Sequence, residues 1–333
     1  MQVSLDVISE MTYGAVCVEQ GENGIRFHRF TQEQRELYLA VSPEDFYPKA
    51  CATAGVSLCF RTNSSFVGLE YRMTKGSSRK FGWIDVYEDG VLMDHFGGDT
   101  ARPLEGSAKI SLHSGEKLVQ IYLPWSASCE IRKLEVEDGA YLHPVKREKT
   151  MIAYGDSITQ GYDALYPSLS YASLVADWLD MNCVNKAIGG ETFVPELLDS
   201  QENLCPELIT VAYGTNDWGR LDPVTLETRC RAFVQKLTRR YPQSRIIAIL
   251  PIWRADMDRI SAFGAPLPAA ISLMEGIYEE FGIPVIRGMD LTPHLSAFYA
   301  DAYGDVPHRL QCLGEERRRI CGRQLLAERY QRQ

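Results

Sequence analysis

Residues 150–161, TMIAYGDSITQG, carry the strongest indication of fold in this sequence. The first five residues are an apolar run of strand length, and Gly155, Asp156 and Ser157 follow as a turn. A serine between a buried strand and a helix can expose its hydroxyl and point its own N–H at the same place. Gly-Asp-Ser is also a common turn sequence, so these residues alone fit a purely structural role.

From this stretch onward, short apolar runs alternate with longer amphipathic stretches. Such alternation predicts βαβ units and a parallel sheet that is covered on both faces. In sheets of this kind the chemistry gathers at the carboxyl ends of the strands. We expect strands at residues 150–154, 183–187, 208–212, 245–250 and 284–286, and helices at residues 171–180, 224–241, 268–281 and 314–330.

Upstream of residue 148 the chain consists of short alternating runs separated by turn residues, which is typical of a β-sandwich, here a jelly-roll-like one. Asp89-Gly90 between two such runs predicts a hairpin, and the polar residues 62–65 predict another. We therefore predict a β-sandwich accessory domain over residues 1–147 and an α/β domain over residues 148–333. The expected strands lie at residues 56–61, 66–73, 83–88, 91–95, 108–112, 117–123 and 129–136.

Composition describes an ordinary folded protein of 333 residues with 45% apolar and 24% charged side chains. The net charge of -9 indicates no nucleic-acid partner. The most apolar run, residues 246–253, is too short to span a membrane, and no basic leader precedes an apolar segment. Nine cysteines without a CxxC pair indicate reduced thiols. We expect a cytoplasmic protein with no membrane association, no metal and no cofactor.

Two further strand ends and one segment near the end of the chain carry residues suited to acyl chemistry. Asn-Lys-Ala-Ile-Gly-Gly ends at Gly190, where a glycine N–H is open to a ligand, although a plain strand-to-loop glycine is the alternative. Tyr-Gly-Thr-Asn-Asp contains Asn216, whose amide could donate to an oxyanion or cap a turn. Asp305 precedes His308 by three residues and could bond Nδ1, leaving Nε2 as a base. His294 is a looser competitor.

Together these positions resemble the four sequence blocks of the SGNH (GDSL-type) hydrolase family, over residues 150–331. The resemblance implies a serine esterase on a flavodoxin-like three-layer α/β/α fold with strand order 2-1-3-4-5. Ser157 would be the nucleophile, because a hydroxyl attacks once a base takes its proton. His308 would be that base, and Asp305 would orient it.

The same resemblance implies an oxyanion hole formed by the N–H groups of Ser157 and Gly190 and by the amide of Asn216. Each such donor contributes on the order of 3–4 kcal/mol to transition-state stabilisation. The last block departs from the family pattern, which places proline just after the histidine, whereas Pro307 precedes it here. His294 is therefore kept as the reserve base.

The two-part layout also resembles carbohydrate esterases in which a β-sandwich precedes the SGNH domain. We expect hydrolysis of short acyl esters, acetyl esters in particular, of small carbohydrates, and leave self-association open. Three aromatic residues near the strand ends could form a wall for a sugar ring, with ordinary packing as the alternative; these are Tyr213, Trp218 and Trp253. In the β-domain, Trp83 and Trp125 are interpreted as core residues.

Two other functions remain open at this point. A lysophospholipase or acyl-thioesterase would use the same catalytic residues. A carbohydrate-binding protein with a vestigial hydrolase domain would need no activated serine, and the presence of all four blocks argues against it.

Overall fold

The computed structural model describes residues 1–295, and the chain forms two compact units. The first unit comprises Met1–Glu148 together with two short later segments, Tyr166–Ser173 and Asn182–Asn185. The second comprises Lys149–Leu165, Leu174–Met181 and the described chain from Lys186 onward. The predicted domain division after residue 147 remains a prediction. In the described part of the chain, no helix has both the length and the apolar character that a membrane span requires.

Antiparallel strands dominate the first unit. Its helices are α1 (Leu5–Glu10), α2 (Gln32–Val41) and α3 (Phe46–Cys51). Its strands are β1 (Thr12–Tyr13), β2 (Cys17–Gln20), β3 (Ile25–His28), β4 (Ser57–Thr62), β5 (Phe66–Lys75), β6 (Phe81–Glu88), β7 (Val91–Asp99), β8 (Leu104–Ser111), β9 (Lys117–Tyr122), β10 (Ala127–Val136) and β11 (Leu142–Pro144).

These strands build two sheets around one apolar core. One sheet has the order β1-β4-β9-β6-β7, with β11 added on β4, and the other has the order β2-β3-β10-β5-β8. Successive side chains of a strand point to opposite faces, so alternate residues such as Ile84 and Val86 of β6 enter the core. Residues of both sheets share this core, including Phe60 and Leu69. The predicted β-rich domain is confirmed.

The two predicted hairpins have different outcomes. β6 and β7 pair directly, and Asp89 and Gly90 between them have φ values of 47° and 80°, as a two-residue hairpin turn requires. The hairpin predicted around residues 62–65 is wrong, because β4 pairs with β1, β9 and β11, whereas β5 pairs with β8 and β10. The hydroxyl of Ser64 instead accepts a bond from the Glu137 N–H, which ties this turn to the chain after β10.

The remaining chain alternates strands and helices. The strands are β12 (Lys149–Gly155), β13 (Met181–Ala187), β14 (Leu208–Ala212), β15 (Arg245–Ile249) and β16 (Val285–Ile286). The helices are α4 (Ser157–Gln160), α5 (Tyr171–Leu179), α6 (Thr215–Arg220), α7 (Pro223–Arg240) and α8 (Leu267–Glu280). The helix predicted at residues 314–330 lies outside the described residues.

The sheet order is β13-β12-β14-β15-β16, which is 2-1-3-4-5 counted from β12, as expected. Its helices show how local sequence specifies each element. In α7, Asp222 caps the first turn by accepting the N–H groups of Val224 and Thr225, and Pro223 occupies the first helical turn, where no N–H is needed. The same helix buries one apolar face, which includes Phe233 and Leu237.

Candidate active site

The turn between β12 and α4 presents Ser157. The carboxylate of Asp156 caps α4 by accepting the Ile158 N–H at 3.2 Å, so Ser157 becomes the first residue of the helix and is half-buried. A Cβ at Gly155 would lie 2.2 Å from the Thr159 hydroxyl oxygen, so only glycine fits where the strand turns into the helix. The turn predicted from Gly-Asp-Ser therefore requires glycine at position 155, because Thr159 packs directly against it.

The loop after β13 is held against α4. The N–H of Ile188 donates to the Gly155 carbonyl at 3.2 Å, and the N–H of Gly189 donates to the Gln160 side-chain oxygen at 2.7 Å. Gly190, the predicted oxyanion donor, follows with φ at 87°, a left-handed conformation that favours glycine. These bonds bring the Gly190 loop to the turn that carries Ser157.

The loop after β14 brings Asn216 next to the turn that carries Ser157. Asn216 lies in the first turn of α6, and its side-chain nitrogen donates to Asp156 at 3.4 Å. An amide nitrogen carries two hydrogens, so a second remains to be offered to a substrate oxygen. The three predicted positions Ser157, Gly190 and Asn216 therefore lie on adjoining loops at one edge of the sheet, joined through Asp156 and Gln160.

Asp217 is a structural member of this group that the sequence reasoning treated only as part of a turn cap. Its carboxylate is fully buried and accepts the N–H of Phe193 at 3.0 Å and the N–H of Gly214 at 3.1 Å. Burial raises the pKa of Asp217 to about 7, although these N–H donors favour the charged form. One side chain thus ties the Gly190 loop to the Asn216 loop. Nothing in the sequence around Asp217 indicated that its side chain would be buried and would join two loops.

Of the three aromatic residues predicted to contact sugar, two pack inside the domain. Tyr213 is 2% exposed and donates to the buried Glu191 carboxylate at 2.8 Å. Trp218 is 0% exposed, and its indole N–H donates to the Ala265 carbonyl at 2.8 Å. Neither ring offers a face to a ligand, so the packing alternative applies to both. Trp253 is half-buried and remains a candidate for substrate contact.

The two predicted partners of the nucleophile, Asp305 and His308, lie outside the described residues. The reserve base His294 is described: its ring is exposed and stacks on Trp253 at 6.1 Å between ring centroids. Its Nε2 lies 2.9 Å from the Met289 carbonyl oxygen, so this nitrogen is a donor, and only Nδ1 is left to act as a base.

Within residues 1–295, no group of three or more histidine, cysteine, aspartate or glutamate side chains is placed to hold a metal ion. The seven described cysteines are free thiols, and four of them are buried. The described site is therefore assembled from backbone N–H groups, amides, a hydroxyl and carboxylates.

Part of the chain is similar in sequence to a known family. Residues 153–306 match the GDSL-like lipase/acylhydrolase family. None of the curated proteins compared with the chain matches its sequence.

Solved structures share the fold over most of the chain. A salicylyl-acyltransferase from a tetracycline biosynthetic pathway is 21% identical, with a TM-score of 0.79 over 96% of this chain and 94% of that one. A family two carbohydrate esterase from Cellvibrio japonicus is 18% identical, with a TM-score of 0.62 over 91% of each chain. An acetyl xylan esterase from Butyrivibrio proteoclasticus is 17% identical, with a TM-score of 0.51 over 70% of this chain and 81% of that one.

Proposed function

We propose that this chain is a carboxylic-ester hydrolase that removes short acyl groups, in particular acetyl groups, from carbohydrate esters. The match of residues 153–306 to the GDSL-like lipase/acylhydrolase family supports the proposal. The observation that carries the proposal is the convergence of Ser157, Gly190 and Asn216 on adjoining loops, joined by the hydrogen bonds of Asp156 and Gln160. Three hydrogen-bond donors near the Ser157 hydroxyl can stabilise the oxyanion of a tetrahedral intermediate.

In the proposed mechanism, the Ser157 oxygen attacks the ester carbonyl carbon while His308 takes the hydroxyl proton. The carbonyl oxygen becomes an oxyanion that accepts the N–H groups of Ser157 and Gly190 and the amide of Asn216. The C–O bond to the alcohol then breaks, and His308 returns its proton to the departing oxygen. A water molecule, deprotonated by His308, then attacks the acyl carbon; the bond to the Ser157 oxygen breaks, the acid leaves, and His308 returns the proton to that oxygen.

Asp156 supports this mechanism as a positioning residue. One of its oxygens accepts the Ile158 N–H and so fixes the turn that carries Ser157, while the other accepts the Asn216 amide. A single buried carboxylate therefore sets the relative position of the nucleophile and one oxyanion donor. Holding reacting groups in place in this way lowers the barrier, because no reorganisation is needed during reaction.

The carbohydrate part of the proposal rests on fold likeness and on the neighbours' printed activities. A family two carbohydrate esterase and an acetyl xylan esterase are among the solved structures with a similar fold. Trp253 is the half-buried aromatic that could contact a sugar ring. A lysophospholipase or acyl-thioesterase with the same catalytic residues is the alternative, and the dependence of activity on acyl chain length distinguishes a long-chain lipase from a short-chain esterase.

Acyl transfer is a second candidate, favoured by one observation. The likeness to a salicylyl-acyltransferase spans 96% of this chain, including both compact units. An acyltransferase would form the same acyl-enzyme on Ser157 and pass the acyl group to an alcohol instead of water. Product analysis with and without an alcohol acceptor separates the two, because transfer yields a new ester and hydrolysis yields free acid.

The decisive experiment measures acetate release from acetylated oligosaccharides and from p-nitrophenyl esters of increasing chain length. We expect wild-type activity to fall steeply beyond butyrate and Ser157→Ala to lose it by several orders of magnitude. Ser272→Ala, in an exposed serine of α8, is the matched control. Full activity in Ser157→Ala would overturn the proposal, and loss of turnover in His294→Ala but not in His308→Ala would reassign the base.

A further inference from the structure

The outer face of the β6–β7 hairpin carries an aspartate–histidine pair that the proposed esterase does not use. Ile84 and Val86 of β6 point into the sandwich core, so Trp83 and Asp85 point away from it. Across the strand pair, His95 of β7 is directly opposite Asp85. Nδ1 of His95 lies 2.6 Å from a carboxylate oxygen of Asp85.

Each carboxylate oxygen of Asp85 accepts a hydrogen bond. One contacts His95, and the other accepts the N–H of Ser168 at 3.0 Å from the segment Tyr166–Ser173, which belongs to the same compact unit. The Asp85 side chain is 0% exposed, whereas that of His95 is 19% exposed. A carboxylate only accepts hydrogen bonds, so Nδ1 of His95 is the donor to Asp85, and Nε2 lies on the opposite edge of the ring.

Two aromatic rings flank this histidine. The Trp83 ring lies 4.8 Å from the His95 ring between centroids, at an angle of 31°, and the Tyr166 ring lies 3.9 Å away, edge to face. Both aromatic side chains are half-buried, so the sequence-based assignment of Trp83 to the core is wrong. Gly97 is the residue opposite Trp83 on β7, and it places no side chain beside the indole.

Within residues 1–295, Nε2 of His95 has no hydrogen-bond partner, although the ring is oriented by a buried carboxylate and packed between aromatics. We propose that Asp85, His95, Trp83 and Tyr166 form a binding site for a neutral sugar on the β-sandwich unit, with a hydrogen bond between His95 Nε2 and a sugar hydroxyl. A sugar is the ligand class that combines hydroxyl donors with a C–H face that packs on an aromatic ring. The site shares no residue with the proposed esterase machinery, and the proposal does not depend on the proposed activity.

The test is a titration of the full-length protein with methyl β-xylopyranoside and cellotriose, followed by the ¹⁵N shifts of the His95 ring and by tryptophan fluorescence. Tetrahydropyran, the same ring without hydroxyls, is the ligand control. We expect a saturable shift with the sugars and none with tetrahydropyran. His95→Asn keeps a donor to Asp85 but removes Nε2, and its affinity measured by fluorescence should fall at least about fivefold, the loss typical of one hydrogen bond.

His113→Asn is the matched protein control, because His113 also pairs with a buried carboxylate, Glu88, in the same unit but is 80% exposed. It should bind as wild type, and His95→Asn should hydrolyse p-nitrophenyl acetate as wild type. Ser157→Ala should bind sugar unchanged, so a failed esterase proposal leaves this result intact. Absence of a saturable shift, unaltered affinity in His95→Asn with an unchanged melting temperature, or equal binding of tetrahydropyran each overturns the proposal.

Discussion

Replacing Asp217 by asparagine removes an ionisable group that the fold buries completely, and its effect on stability should depend on pH. Burial raises the pKa of Asp217 from 3.8 to about 7. The folded state therefore binds this proton more tightly than the unfolded state, so the contribution of Asp217 to stability is greatest below about pH 4 and falls as the pH rises toward 7. At about 1.4 kcal/mol for each pKa unit, the loss is on the order of 4 kcal/mol.

The asparagine variant has no such ionisation. Its amide nitrogen cannot accept, so either the Phe193 N–H or the Gly214 N–H loses its partner, at a roughly constant cost of about 1–3 kcal/mol. The difference in unfolding free energy, wild type minus Asp217→Asn, should thus decrease by about 4 kcal/mol between pH 4 and pH 8. Taking this difference cancels the other titrating groups.

The assay is urea unfolding of both proteins at intervals across that range, followed by tryptophan fluorescence and by hydrogen exchange of the Phe193 and Gly214 amides. Asp222→Asn is the control with the opposite sign. Hydrogen bonds from Thr225 lower the pKa of this exposed capping carboxylate, so Asp222→Asn should cost more at neutral pH than at pH 3. A wild-type minus Asp217→Asn difference that stays flat with pH would refute the reasoning.

Three further outcomes are expected. Asn216→Ala should lower kcat by about 100-fold or more with little change in melting temperature, and a kcat within threefold of wild type would remove Asn216 from the oxyanion hole. Gly189→Ala places a methyl group 2.5 Å from the Tyr162 ring and should reduce both activity and stability. In Gly276→Ala the added methyl group has no neighbouring atom within 4 Å, so this control should stabilise α8 by roughly 0.5–1 kcal/mol in thermal unfolding. Trp218→Ala should destabilise by about 3–5 kcal/mol in urea unfolding; a cost below 1 kcal/mol would contradict its assignment to the core.

Much of the architecture could be predicted because hydrophobic periodicity and turn residues, which are local features of the sequence, specify its strands, helices and turns. The strand preceding Ser157 and the amphipathic face of α7 follow from periodicity, and Asp89-Gly90 specifies its hairpin because both residues accept a positive φ. The turn at residues 62–65 has equally good turn chemistry and yet joins two different sheets. Turn residues reverse the chain, but long-range packing selects the sheet that receives the next strand.

The site divides in the same way. The sequence by itself determined that Ser157, Gly190 and Asn216 each follow the carboxyl end of a predicted strand. Because these strands are parallel neighbours, the three residues lie at one edge of the sheet. Only the tertiary structure decided what surrounds them: that Trp218 is buried, and that the carboxylate of Asp217 bridges two loops. Burial and hydrogen-bond partners depend on chain segments far apart in sequence, and no local pattern encodes which of them come together.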